Sequence, residues 1–361
     1  MNRSDNMKRL CVFAHFDKDN IVDEYVLFYL QDIRKVADRI VFVSTSSLNS
    51  ETISTLNNIC DSVIIRKNEG YDFASWQNAL KSETLKDFDE FILCNDSVYG
   101  PLFPLEQVFS EMKGENCDFW GMTSNYDIAY HIQSYFLVFR KTILVSSVFQ
   151  KFWENMEIQQ SKAKVIKLYE IGLSQTLLKA GFKASTYIRY QLLVSHIIFY
   201  RLRSYLVRMG KKIREYVQVL LFSIFRPHRK DRKRRRLGVF IKRVIISVVS
   251  IVSKIRNFLR NGSYEILNFI RNPWDQLRGL VFYFETKINA INITHFLWKQ
   301  LVLYHRMPFI KVELLRDNPM GVNIDDYTKV ISMVSNYNVS MIMSHLSRAR
   351  NESRETIDKL H

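Results

Sequence analysis

Residues 91–100 read FILCNDSVYG, and this stretch decides the fold. Four mostly apolar residues, Phe91, Ile92, Leu93 and Cys94, stop abruptly at Asn95-Asp96-Ser97, and Gly100-Pro101 mark a turn soon after. An apolar run of this length, bounded by polar and turn residues, reads as a buried strand. In an open α/β sheet, ligands bind outside the carboxyl ends of the strands. An acid placed there can hold a divalent cation against a diphosphate. That singles out Asp96, with Asn95 beside it. The same Asn-Asp-Ser is also good turn chemistry.

Working outward, residues 9–16 (RLCVFAHF) read as a first strand, and residues 19–37 show helical periodicity through Val22, Tyr25, Val26, Tyr29 and Leu30. Residues 38–45 form a second strand, 46–56 a polar connection and helix, and 62–66 a third strand. Asn68 to Asp72 is a polar loop leading into a helix over 73–80. Residues 118–121 and 134–139 suggest two further strands, and 165–180 a helix stopped by Gly181 as its C-cap. Strands alternating with helical patterns imply βαβ units and a mostly parallel sheet.

The character changes near Arg189. Residues 189–290 hold 23 of the 52 Lys and Arg but only 5 of the 36 Asp and Glu, so the whole net charge of +16 sits in this segment and the remainder is slightly acidic. Within 199–218, and again within 243–261, polar residues recur at steps of three and four among Leu, Ile, Val, Phe and Tyr, which describes two amphipathic helices. A basic run, residues 226–236 (RPHRKDRKRRR), joins them. Lys/Arg-rich amphipathic helices lie in the membrane interface and gain affinity from anionic lipids. The interleaved aliphatics favour that partner over nucleic acid, and packing on the rest of the chain or on a second subunit is the other cover such faces could find.

The length leaves room for one large domain or two ordinary ones, and with 47% hydrophobic residues a proper core is expected. Four cysteines at irregular spacing, with no CxxC pair, argue against a disulfide framework or a structural zinc site and fit a cytosolic setting. No signal peptide is read at the start, where Lys8-Arg9 precede only a short strand-like run, and no uninterrupted apolar stretch approaches the length of a spanning helix.

Several ordered motifs carry a resemblance. They are residues 66–73 (RKNEGYDF), 95–101 (NDSVYGP), 118–123 (DFWGMT), 131–136 (HIQSYF), Tyr169-Glu170, 177–182 (LLKAGF) and 308–316 (PFIKVELLR). In these the sequence resembles the rhamnan synthesis protein F family of GT-A-like glycosyltransferases, over roughly residues 8–190 and 290–345. Residues 191–289 depart from it as a long basic interruption. The resemblance implies an α/β, GT-A-like nucleotide-binding sheet flanked by helices, into which the basic amphipathic module is inserted. Residues 346–361 read as a polar tail.

The resemblance also implies roles. Asp96 stands where GT-A enzymes carry an Asp-x-Asp motif, here with Asn95 in place of one acid, and would meet a divalent cation (Mg or Mn) or the diphosphate. Glu170 resembles the acid that starts a helix in inverting GT-A enzymes and acts as general base on the acceptor hydroxyl; an acid in a helix N-terminal turn is also ordinary helix chemistry. From the residues themselves, Gly70 could permit close backbone approach to a nucleotide, and Asn68 and Asp72 could contact its base or ribose. The same loop could serve only as a turn into the helix. His131 and His295 could assist at the metal or diphosphate, and Lys311 and Arg316 could neutralise the diphosphate; each also fits a structural or solvated role.

The expected protein is therefore a glycosyltransferase in cell-surface polysaccharide assembly. It would take rhamnose, or a related sugar, from a donor such as dTDP-L-rhamnose, pass it to a polyprenyl-linked glycan, and sit peripherally on the cytoplasmic face of the membrane. The rival expectation is a non-catalytic membrane-associated scaffold with a degenerate nucleotide site, and the Asn-for-Asp change at residue 95 sustains it.

Overall fold

Residues 7–189 and 292–358 are described by a computed structural model, with side chains to residue 349. Both stretches belong to one unit. The expected basic module, 191–289, and its two amphipathic helices lie outside the described residues.

The strands are β1 (Arg9–His15), β2 (Arg39–Ser44), β3 (Ser62–Ile65), β4 (Glu90–Asn95), β5 (Val98–Tyr99), β6 (Phe119–Gly121), β7 (Ser124–Asn125), β8 (His131–Ile132), β9 (Phe136–Arg140), β10 (Ala184–Thr186) and β11 (Ile310–Lys311). Seven of them form one sheet in the order β10-β6-β9-β4-β1-β2-β3. Every pairing is parallel except those of β9, which runs antiparallel to both β4 and β6. The mixed α/β sheet flanked by helices that the sequence predicts is therefore present, with one reversed strand.

β1 is buried along its whole length, because helices cover both of its faces. Side chains alternate across a strand, so Phe13 meets Tyr29 of the helix Glu24–Val36 at a ring separation of 5.3 Å, edge to face. Leu10, Val12 and Ala14 join the opposite cluster with Phe73 and Trp76 of the helix Tyr71–Leu80. At the centre of the sheet, Ala14 pairs with Asn95 and His15 with Ser44, so three strands end together at one edge.

Three features differ from the sequence reading. The helix expected from residue 19 starts at Glu24. Ahead of it the Asp17 carboxylate accepts the Asp19 and Ile21 N–H groups, a local bond that competes with helix formation. The helix expected over 165–180 begins at Lys162 and contains a π-helical turn, Ile166–Ile171, before continuing as Gly172–Lys179. The expected polar tail from residue 346 is the continuation of a helix, Ser340–Asp358, in which Leu346 is buried. Among the described residues, no helix is long and apolar enough to cross a membrane.

Candidate active site

Four separate parts of the chain converge where β1, β2 and β4 end. The loop after β3 brings Asp72, in the first turn of the helix Tyr71–Leu80. Because β9 is reversed, its amino end delivers Ser134 and Tyr135 to the edge where Asn95 ends β4, with Cys94 opposite Phe136. The short antiparallel pair β5 and β11 sets Lys311 opposite Val98, two residues beyond Asp96. Gly100 permits this approach: a Cβ there would lie 2.3 Å from the Pro308 carbonyl oxygen, and its φ of +133° disfavours other residues.

Asn95 is the hub. Its Nδ2 donates to the Asp72 carboxylate at 2.7 Å, and its Oδ1 accepts from the Ser97 N–H and hydroxyl. The Lys311 ammonium lies 3.4 Å from the Ser97 hydroxyl and 3.9 Å from the centre of the Tyr135 ring. Burial pushes the Lys311 ammonium down to about 8, while Glu170, Glu313 and Asp72 pull it back up. Burial raises the Asp72 acid, against the Asn95 hydrogen bond and the charge of Lys311. Three carboxylates, Asp72, Glu170 and Glu313, thus act on one partly buried cation, where charges interact more strongly than in water.

Asp96 points toward β1. Its Oδ2 accepts the Phe16 N–H at 2.8 Å, and its backbone carbonyl accepts the Tyr25 hydroxyl at 3.0 Å. Burial, reinforced by the charge of Asp72, raises its acid well above the usual carboxylate range. His15 Nε2 is 4.0 Å away. Burial lowers the His15 imidazole to about 4, so it is neutral at pH 7 and makes no ion pair with Asp96. It bonds to the Ser44 hydroxyl at 2.9 Å instead.

Glu170 lies in the π-helical turn, not at the helix start that the sequence suggests. Such turns occur often at functional sites. The carboxylate accepts the Ser134 N–H at 2.8 Å and acts electrostatically on Lys311 and Asp72. The structure therefore brings Asp72, Asn95, Asp96, Glu170 and Lys311 together.

Other expected residues go elsewhere. Gly70 caps the helix Tyr71–Leu80 at a φ of +73°, and a Cβ there would lie 2.6 Å from Ala74, so its close approach is to its own helix. Asn68 sits in the same loop. Arg316 is paired with Asp317 on the surface. His131 is buried, with Nδ1 2.9 Å from the Ala129 carbonyl oxygen. His295 lies 3.9 Å from Glu313 and keeps Lys311 as a charged neighbour; burial lowers its imidazole, with Glu313 raising it and Lys311 lowering it further.

For a divalent cation, Asp96 offers the hard oxygen such ions prefer once it is ionised, a form that the charge of the cation itself would favour against burial, and one carboxylate with waters and phosphates suffices for Mg²⁺. The residues present fit that group. A second donor set, Asp17, Asp23 and His345, has ligand atoms within 4.8 Å of one another. The Arg348 guanidinium already pairs with both carboxylates at 2.7 and 2.6 Å. Reading only the strand β4 missed these residues, although Asp17 and Asp19 follow β1 just as Asp96 follows β4.

Residues 40–205 match the family described as rhamnan synthesis protein F. Virulence protein VirA of Vibrio anguillarum is 25% identical over 326 residues, which cover 89% of this chain and 83% of that protein. The basic segment falls largely within that span. An uncharacterized protein of Sinorhizobium fredii, y4gN, is 27% identical over 154 residues, covering 41% of this chain and 40% of that protein. Among solved structures, the mannosyltransferase PcManGT from Pyrobaculum calidifontis, in complex with GDP-Man and Mn²⁺, is 11% identical with a TM-score of 0.33, over 51% of this chain and 56% of that one.

Proposed function

With residues 40–205 matching the rhamnan synthesis protein F family, we propose that the chain is a GT-A-like, inverting glycosyltransferase that moves rhamnose or a related sugar from a nucleotide donor to a lipid-linked cell-surface glycan. The observation that carries the reading is Lys311 held at the Ser97 hydroxyl, which is joined through Asn95 to Asp72 at the end of β4, next to Asp96. A leaving diphosphate develops charge, and a preorganised cation in a site of low dielectric stabilises it.

In this reading the acceptor hydroxyl attacks the anomeric carbon from the face opposite the leaving group. Glu170 takes the hydroxyl proton as the new glycosidic bond forms and the bond to the diphosphate breaks. Lys311 stays over the diphosphate oxygens. A divalent cation held by Asp96 would add positive charge for the same leaving group. The Asp96 side chain is partly buried, and its bond to the Phe16 N–H orients the carboxylate. The Asn95–Asp72 hydrogen bond supports the catalytic reading over a scaffold, because an amide can donate to Asp72 and an ionised carboxylate cannot.

We assign the basic segment, 191–289, to an anionic membrane surface, which would keep the site at the cytoplasmic face beside a polyprenyl-anchored acceptor. The donor dTDP-L-rhamnose suits the family name. Screening purified protein for hydrolysis of nucleotide sugars tests the core of the reading. One donor should be cleaved, and Asp96→Ala should abolish cleavage with the fold retained. Absence of both binding and cleavage across dTDP-, UDP- and GDP-sugars, with Mg²⁺ and with Mn²⁺, would overturn it.

A further inference from the structure

The helix Ser340–Asp358 reaches the strand edge through two side chains one turn apart. Arg348 pairs with Asp17 and Asp23 at 2.7 and 2.6 Å, and with Asp19 as well. His345 Nδ1 lies 2.6 Å from the Tyr99 hydroxyl, and its ring sits 5.1 Å from that of Tyr25. All three acids belong to the loop between β1 and the helix Glu24–Val36. Asp23 occupies the N-cap position of that helix yet makes no capping bond with its side chain, because the carboxylate is turned to Arg348.

From this contact two short paths lead to Asp96. On the first, Arg348 holds Asp17, whose carboxylate organises the Asp19 and Ile21 N–H groups and whose own N–H donates to the Ser46 hydroxyl. The preceding residue, Phe16, donates its N–H to the Asp96 carboxylate. On the second, His345 packs on Tyr25, whose hydroxyl donates to the Asp96 carbonyl. The carboxylate and the carbonyl of one residue are thus both held by groups that the C-terminal helix touches. A guanidinium serving several carboxylates presents its donors in a fixed planar fork, which an ammonium cannot reproduce.

We propose that the C-terminal helix is a positioning element of the active site, in which Arg348 clamps the loop after β1 and thereby orients Asp96 toward the donor diphosphate. The inference rests on the glycosyltransferase reading of the Asp96 site. Arg348 touches no reacting group in this scheme. It also neutralises acids that would otherwise repel a diphosphate arriving beside them.

The test compares full-length wild type, Arg348→Lys, Arg348→Gln and Asp96→Ala. It measures binding of dTDP, UDP and GDP by calorimetry in MgCl₂, and hydrogen exchange of the Phe16 and Ile21 amides. Arg348→Gln should weaken the best-bound diphosphate by roughly tenfold or more, the loss of charge-assisted hydrogen bonds, and should expose both amides. Arg348→Lys, which restores charge without the fork, should recover only part of each. Normal affinity in Arg348→Gln, with or without exposed amides, would overturn the clamp while a failing Asp96→Ala upheld the site. Weak binding with both amides still protected would also overturn it. Normal affinity in Asp96→Ala, or no diphosphate bound by wild type, would overturn the site reading and the clamp with it.

Discussion

The Asn95 side-chain amide, at the end of β4, donates a 2.7 Å hydrogen bond to the Asp72 carboxylate in the first turn of the helix Tyr71–Leu80. The position where the family resemblance expects an acid carries an amide, and the acid that complements it comes from the helix after β3. Two carboxylates at this distance could not both ionise. Asn95 avoids that repulsion, and its hydrogen bond, with the charge of Lys311, favours the charged form of Asp72 against the effect of burial.

Asn95→Asp should give the site a second acid beside Asp96 and still impair it. The pair would have to share a proton, so one carboxyl would titrate above its unfolded value. Protons bound by the folded state and absent from the unfolded one make stability fall as pH rises. The variant should lose about 1–3 kcal/mol at pH 7 and less at pH 5. Urea denaturation at the two pH values checks this, and an equal loss at both would refute it.

Glu170→Gln keeps the shape of the side chain and its acceptor for the Ser134 N–H, and removes the basicity. General-base catalysis contributes about 10²–10⁴-fold, so kcat should fall by that order with donor affinity nearly unchanged. A steady-state comparison decides. A loss confined to KM for the donor would move Glu170 to the nucleotide.

Lys311 gives donor binding a pH dependence. Burial lowers its ammonium from 10.5 to about 8, so the cation is present below that pH and lost above it. Affinity for a nucleoside diphosphate should decline as pH rises through about 8, at a point moved upward once the diphosphate is bound. Arg keeps its charge throughout this range, so Lys311→Arg should flatten the profile and Lys311→Met should weaken binding at every pH. An unchanged profile in Lys311→Met would remove the residue from the diphosphate site.

The basic segment gives a prediction separate from the chemistry. Basic residues near an anionic leaflet contribute about 1 kcal/mol each, so the intact protein should sediment with anionic liposomes and leave neutral ones. Part of that binding should survive high salt, because the amphipathic helices expected over 199–218 and 243–261 would also bury apolar surface. Deleting residues 199–261 should abolish it and reduce transfer to a lipid-linked acceptor more than to a short soluble one. A protein that ignores anionic liposomes, and forms an oligomer that the deletion dissolves, would make the segment an assembly interface.

Strands and helices were legible in the sequence because their signal is local. The apolar run 91–94 is β4, and the residues that stop it lie at the carboxyl edge, as a strand end must. Asp72, Asn95, Asp96, Glu170 and Lys311 could each be named from residue type and motif. What they meet could not. Hydrophobic periodicity says that a strand is buried and leaves open which strand lies beside it. The reversal of β9 puts Tyr135 under Lys311, the pairing of β5 with β11 carries Lys311 to Ser97, and the final helix sets Arg348 on Asp17, 331 residues away. Strand order, polarity and helix docking follow from how whole faces pack, and only the folded chain brings such distant polar groups within hydrogen-bonding reach.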